Sequence, residues 1–235
     1  MSTIRGLLFD KDGTLFNFRA TWGDWSARLV RGLAAGDEGL ATGLADAIGF
    51  DLQTTEFADD SPVIAATPAE IAAEMVDLLP DETVDSLVAR MNSLATTVRL
   101  SEAVALRPLF AQLRARGLRI GLATNDGEVP ARAHLKIAGI DQHFDFVAGS
   151  DSGHGGKPAA GMQLAFAATC GLQPGEVAMI GDSLHDLQAG RAAGMVTIGV
   201  LTGPASAETL APLADCILSD IGQLPAWLDG RPISG

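Results

Sequence analysis

Leu7-Leu8-Phe9-Asp10-Lys11-Asp12-Gly13-Thr14-Leu15 is the stretch on which the reading of this chain turns. An apolar run stops at two carboxylates one residue apart, and a glycine and a threonine follow at once. A short, unbroken apolar run reads as a buried strand, and Asp-Gly as a sharp turn at its end. Two acids this close repel each other unless positive charge sits between them, and a divalent cation is the obvious source of it.

Working outward, residues 4–10 form the expected first strand, and the rhythm then changes. Residues 17–100 are rich in Ala, Leu, Asp and Glu, with apolar residues at helical spacing. Trp22, Trp25, Leu29 and Leu33 mark one face of a helix closed by Gly36. A second helix is expected over residues 38–48. Thr67-Pro68-Ala69-Glu70 is a helix start, with Thr67 as N-cap, Pro68 in the first position and Glu70 placed for a capping box. That helix runs to Leu79 and stops at Pro80, and a fourth covers residues 81–98. No strand is expected here, so the region reads as an all-helical insertion.

From Leu106 onward helices and strands alternate. Helices are expected over residues 109–116, 126–139, 159–170, 184–193 and 221–228. Strands are expected over 119–123, 144–148, 177–180, 196–201 and 216–218. This order, with short loops, argues an α/β fold with a parallel, doubly wound sheet. Ligands of such sheets bind beyond the carboxyl ends of the strands. The unusual polar residues sit at those ends: Asp10 and Asp12, Thr124 and Asn125, and Asp182.

Composition narrows the function. The chain has 235 residues, is 47% hydrophobic and 19% charged, and carries a formal net charge of -13. It can bury a real core, and it is a poor partner for nucleic acid or an anionic membrane. Its 16 cations include only three lysines, Lys11, Lys136 and Lys157, and two of these lie in the loops of interest. Cys170 and Cys216 make no metal spacing and read as buried free thiols, which fits a reducing cytoplasm. The N-terminal apolar run is too short for a signal peptide. No run approaches the roughly 20 apolar residues that span a bilayer.

Four motifs in order now carry a resemblance: Asp10-Lys11-Asp12-Gly13-Thr14; Thr124 after an apolar strand; Lys157-Pro158; and Gly181-Asp182-Ser183 with Asp186. Over essentially its whole length the chain resembles the haloacid dehalogenase (HAD) superfamily, in particular phosphoglycolate phosphatase-like members with a helical cap. The resemblance implies a Rossmann-like core at residues 1–16 and 101–235, and a mobile helical cap at 17–100 with hinges at 17–18 and 99–106. The acid at Asp12 resembles the phosphatases and phosphomutases rather than the dehalogenases, which lack it.

The implied activity is a magnesium-dependent phosphatase acting on a small phosphorylated metabolite, with phosphoglycolate the named candidate. Asp10 would be the nucleophile that forms an aspartyl-phosphate. Asp12 would be the general acid and base. Thr124, through its hydroxyl, and Asn125, through its backbone N–H, would donate to the phosphoryl oxygens, although Asn125 can equally be structural. Lys157 would touch both Asp10 and the phosphoryl group. The resemblance assigns Mg2+ to the Asp10 and Asp182 carboxylates and the Asp12 backbone carbonyl. It makes Asp186 a supporting acid that orients Lys157 or holds metal waters, where the residues alone also allow a solvated helix acid.

Some positions stay open. Lys11 either pairs with an acid on the core or leans towards the substrate, and alternation along an extended chain favours the first. Trp22 and Trp25 either pack between cap helices or seal the site. His154 and His185 read as bystanders. Relatives named phosphoglycolate phosphatase carry an Asp-Ser pair after the first motif, and Phe16-Asn17-Phe18 stands here instead. Two further functions compete. A phosphosugar mutase of the beta-phosphoglucomutase type would carry a histidine soon after the first motif, and none occurs before His134. A non-catalytic binding protein on the same fold is the other, and a monomer or a homodimer is equally compatible.

Overall fold

The structure is a computed structural model that describes residues 3–230. The outer ends of the expected core segments, residues 1–2 and 231–235, lie outside the described residues. Six strands form one parallel sheet: β1 (Gly6–Phe9), β2 (Arg119–Ala123), β3 (Phe146–Ala148), β4 (Val177–Gly181), β5 (Val196–Val200) and β6 (Cys216–Leu218). Their spatial order is β3-β2-β1-β4-β5-β6, so the first strand lies at the centre and the direction of winding reverses beside it. Leu8 is level with Gly121 on one side and Met179 on the other.

Covering both faces of a sheet forces its strands to be apolar throughout, and every residue of β1 is buried. Alternation then divides the strand between two cores. Leu7 and Phe9 pack with Leu109, Phe110 and Leu135, which belong to α5 (Leu106–Ala115) and α6 (Glu128–Ala138). Leu8 packs on the opposite face with Met162 and Phe166 of α7 (Gly161–Cys170). Burying such a side chain contributes roughly 1.5–3 kcal/mol, so β1 anchors both layers at once. Helix α8 (Leu184–Ala193) follows β4, and a short helix, α9 (Ala207–Leu210), precedes β6.

Between β1 and α5 stand four helices: α1 (Phe18–Ala34), α2 (Glu38–Ala47), α3 (Pro68–Val76) and α4 (Val84–Ala95). They share a hydrophobic cluster of their own, built from Trp25, Leu29, Leu44, Met75 and Leu87 among others. Thr67 and Glu70 make the capping box read from the sequence. The two connections to the sheet lie side by side and antiparallel. Asn17 N–H donates to the Ser101 carbonyl at 2.8 Å, and Ala103 N–H to the Leu15 carbonyl at 2.9 Å.

Several boundaries differ from expectation. Helix α4 starts at Val84, not residue 81, because Thr83 and Ser86 cap each other. Strand β3 starts at Phe146, because the Asp145 carboxylate takes the Ile120 N–H at 2.9 Å and ends the ladder there. Helix α9 has only four residues, too few for a helical period to show. The last turn, α10 (Leu224–Leu228), begins three residues late, after a 3₁₀ turn at Ile221–Gln223. Both cysteines are free and half-buried. No helix among the described residues is long and apolar enough to cross a membrane.

Candidate active site

The carboxyl ends of β1, β2 and β4 and the loop after β3 bring the singled-out side chains together. Asp10 directly follows β1, where its N–H donates to the Ile180 carbonyl at 2.8 Å. The chain then reverses: Leu15 and Phe16 both donate backbone N–H to the Lys11 carbonyl. Gly13 makes this reversal possible. Its φ is +78°, and a Cβ there would lie 2.3 Å from Asp182 Oδ2. Gly203 closes on Asp182 from the other side, at 1.7 Å from Oδ2 by the same measure. Asp182 thus sits in a slot that only glycines can line.

Lys157 ties the end of β1 to the loop after β4. Its Nζ donates to Asp10 Oδ1 at 2.5 Å and to Asp186 Oδ1 at 2.6 Å. Burial alone would lower its pKa, but Asp10 and Asp186 more than offset that, so the ammonium stays charged. An ammonium has three N–H donors, so one remains for a ligand. Asp186 is 1% exposed, which rules out the solvated helix acid. Its Oδ1 holds Lys157, and its Oδ2 accepts from the Ser183 hydroxyl at 2.7 Å and from the Ser183 N–H at 3.0 Å, capping α8. Asn125 pins the lysine loop. Its Oδ1 accepts from the Lys157 N–H at 2.7 Å, and its Nδ2 donates to the Lys157 carbonyl at 3.0 Å and the Ala65 carbonyl at 2.8 Å. This clamp by the Asn125 side chain goes beyond the backbone N–H the sequence pointed to. Thr124 is buried after β2, and its Oγ1 accepts from the Asp126 N–H at 3.1 Å, so its hydroxyl proton is available to a ligand.

The carboxylates call for a cation. Burial pushes Asp10 up to about 7, with Lys157 opposing and Asp186 adding to the rise. Asp182 is raised well above the ordinary range by burial, and then by Asp10 and Asp186. Apart from its own backbone N–H, it has a 3.3 Å bond from the Thr14 hydroxyl and no ion-pair partner among the described residues. Buried charges are paired or bind metals. Asp10, Asp182 and Asp186 offer oxygens within 4.8 Å of one another, a donor set suited to a hard divalent ion. Asp186 is the most engaged of the three, with both oxygens on Lys157 and Ser183, and Asp182 the least.

Asp12 points elsewhere, into a second buried cluster that sequence reasoning missed. Lys11 is fully buried; its Nζ donates to Asp12 Oδ2 at 2.5 Å and lies 3.2 Å from Asp126 Oδ2 and 3.1 Å from His134 Nδ1. His134 Nε2 is 2.8 Å from the Ala95 carbonyl, at the end of α4. A carbonyl only accepts, so Nε2 carries the proton and Nδ1 accepts from Lys11. Burial, and then Lys11, depress His134 to about 4, so the ring is neutral at ordinary pH. The Lys11 ammonium also faces the Trp22 ring at 5.0 Å. Asp12 Oδ1 is buried without a partner. Lys11 therefore pairs with acids of the α/β part and does not reach for a ligand. The missed signal was a polar residue on the apolar face of α6: His134 sits at the spacing of Ala131, Leu135 and Ala138.

A cavity opens over these residues. Its floor includes Asp10, Asp12, Thr124, Lys157 and Asp182. Trp22 and Trp25 line its roof, so both help close the site as well as packing among the helices. His185 also reaches the lining, although it hydrogen-bonds to no motif residue.

Comparison with known proteins agrees with this architecture. Residues 4–194 match the haloacid dehalogenase-like hydrolases. A phosphoglycolate phosphatase of Chromobacterium violaceum is 38% identical over 112 residues, which is 48% of this chain and 50% of that protein. The chain thus aligns with only about half the length of that relative. A phosphoglycolate phosphatase of Yersinia pestis is 30% identical over 229 residues, 94% of this chain and 91% of that protein. Among solved structures, an HAD phosphatase from Thermococcus onnurineus superposes with a TM-score of 0.68 at 22% identity, covering 98% of this chain and 100% of that one. Because the family match takes in β1 through α8 and the Yersinia relative aligns along nearly the whole chain, this protein belongs to the haloacid dehalogenase-like hydrolases.

Proposed function

We propose that the chain is a magnesium-dependent phosphomonoesterase working through an aspartyl-phosphate on Asp10. The observation that carries this reading is the division of labour between the two acids. Asp10 lies among carboxylates and Lys157, where phosphate charge can be neutralised, while Asp12, held by Lys11, borders the same cavity and keeps its Oδ1 without a partner.

Asp10 Oδ1 is held by Lys157, which leaves Oδ2 to attack phosphorus. As the bond from phosphorus to the ester oxygen breaks, Asp12 gives that oxygen a proton, and an alcohol leaves. Water then attacks the phosphorus of the aspartyl-phosphate. Asp12, now a carboxylate, takes its proton, and inorganic phosphate departs with Asp10 regenerated. The third N–H of Lys157, the Thr124 hydroxyl and the Asn125 backbone N–H bind the phosphoryl oxygens, fixed donors aimed where charge develops. Asp10, Asp182 and the Asp12 carbonyl would hold Mg2+, which supplies the charge neutralisation that lets a carboxylate approach a phosphate dianion. Asp186 positions Lys157.

Helices α1–α4 act as a cap over residues 17–100, hinged at residues 17–18 and 99–106, where the two connections run side by side. Their separate hydrophobic cluster supports this role, as does the cavity beneath them. Phosphoglycolate enters as the reference substrate, because relatives carry its name. The test is hydrolysis of a panel of phosphomonoesters with and without MgCl2. Asp10→Asn is expected to abolish turnover, and a wild-type protein inert towards the whole panel with magnesium present would refute the phosphatase reading.

A further inference from the structure

The two walls of the cavity have opposite character. The floor carries the charge. The roof, contributed by α1, α3, α4 and the 3₁₀ turn Pro62–Ile64, is apolar: Phe18, Trp22, Trp25, Val63, Ile71 and Met91 all reach it. Its polar exception among the helices is Asn92. The described cations of residues 17–100 all lie outside the lining. Arg19 pairs with Glu56, Arg28 with Asp24 and Arg90 with Glu82; Arg31 reaches the Leu52 carbonyl, and Arg99 lies at a separate surface hollow. Lys157 is the one lysine or arginine in the lining, and its place is beside Asp10.

From this contrast we infer that the substrate is a phosphomonoester whose leaving group is uncharged and largely apolar, an aryl or alkyl alcohol. The inference rests on the phosphatase reading and narrows it. Phosphorus must sit over Asp10, so the leaving group points up past Asp12 into the roof. A second anionic group there, such as the carboxylate of phosphoglycolate, meets aromatic and aliphatic side chains on one side and Asp12 and Asp126 on the other. It loses its water and gains no cation, the most unfavourable way to bury a charge. An apolar ring or chain in the same place loses only surface that water solvates poorly, and gains contacts with two indoles.

The experiment compares phenyl phosphate with phosphoglycolate at pH 8. With MgCl2 present, kcat/KM for phenyl phosphate is expected to exceed that for phosphoglycolate by on the order of 100-fold. Asn92→Lys, which places a cation on the roof, is expected to shrink that ratio by about 10-fold, with a thermal melt showing that the variant is folded. A second readout does not need turnover. Phenylphosphonate should quench the fluorescence of Trp22 and Trp25, and phosphonoacetate at the same concentration should not. A ratio at or below one in the wild type, or equal quenching by the two phosphonates, overturns the inference and leaves the phosphatase reading intact. Selective quenching by phenylphosphonate with no hydrolysis of either ester does the reverse: it upholds the apolar pocket and removes the phosphatase reading.

Discussion

Two lysines are buried at this site, each between two carboxylates, and they do opposite things. Lys157 spends two of its donors on Asp10 and Asp186 and keeps one. Lys11 has Asp12, Asp126 and His134 around its ammonium and the Trp22 ring on its remaining side, so it is saturated. A cation with a donor to spare can serve a ligand, whereas a saturated one can only hold other groups in place. Charge and burial are nearly the same in both, and the count of unfilled donors tells them apart.

The largest effect should come from the lysine with the spare donor. Lys157→Ala is expected to lower kcat by about 10³-fold, the loss that follows removal of a fixed donor from developing charge. A single-turnover assay measures it, and a loss below tenfold would mean that the third N–H is idle. Lys11→Met should act first on the fold. It strands Asp12 and Asp126 as buried acids with no cation, at a cost of about 4 kcal/mol in urea unfolding. Magnesium sharpens the contrast: MgCl2 should raise the melting temperature of Lys157→Ala, whose orphaned acids include Asp10 of the proposed metal set, by more than that of the wild type, and raise that of Lys11→Met by no more than that of the wild type.

His134 gives a smaller, pH-dependent effect. It titrates near 6.5 in the unfolded chain and near 4 in the fold. As pH falls the unfolded chain takes the proton first, so this part of the stability is full above pH 6.5 and is lost by about pH 4. The shift amounts to about 3 kcal/mol. Urea melts at pH 7.5 and 4.5 should differ by about that much more in the wild type than in His134→Gln; equal differences would place the ring in contact with water. Asp186→Asn is the mildest. It keeps the α8 cap and weakens the hold on Lys157, for a fall of about 10-fold in kcat with KM nearly unchanged. A rise in KM instead would show that Asp186 meets the substrate.

What the sequence made legible follows from the range of each interaction. The motif residues at the sheet's carboxyl edge were readable because each follows an apolar strand at short range, and the Thr67 capping box is complete within four residues. Alternation also gave Lys11 the correct side of β1. Its partners were not readable, because His134 lies 123 residues away and Asp126 looks like an ordinary turn acid. Asn125 is the subtler case: the position was found, but its side-chain clamp on Lys157 joins loops 32 residues apart. The roof was the hardest to read, since helical spacing marks Trp22 and Trp25 as apolar without saying what lies below them.

Among the described residues, the two side-chain hydrogen bonds that cross from the α/β part to the helices share one trait. Asn125 reaches the Ala65 carbonyl and His134 the Ala95 carbonyl, so the donors are side chains of the α/β part and the acceptors are main chain. A main-chain carbonyl survives almost any substitution of its own residue. The helical part can therefore exchange its cavity-facing side chains one at a time and still settle onto the same two donors. Altered substrate choice is then a matter of point changes rather than of rebuilding the seam, which makes the roof the natural place to begin redirecting this scaffold.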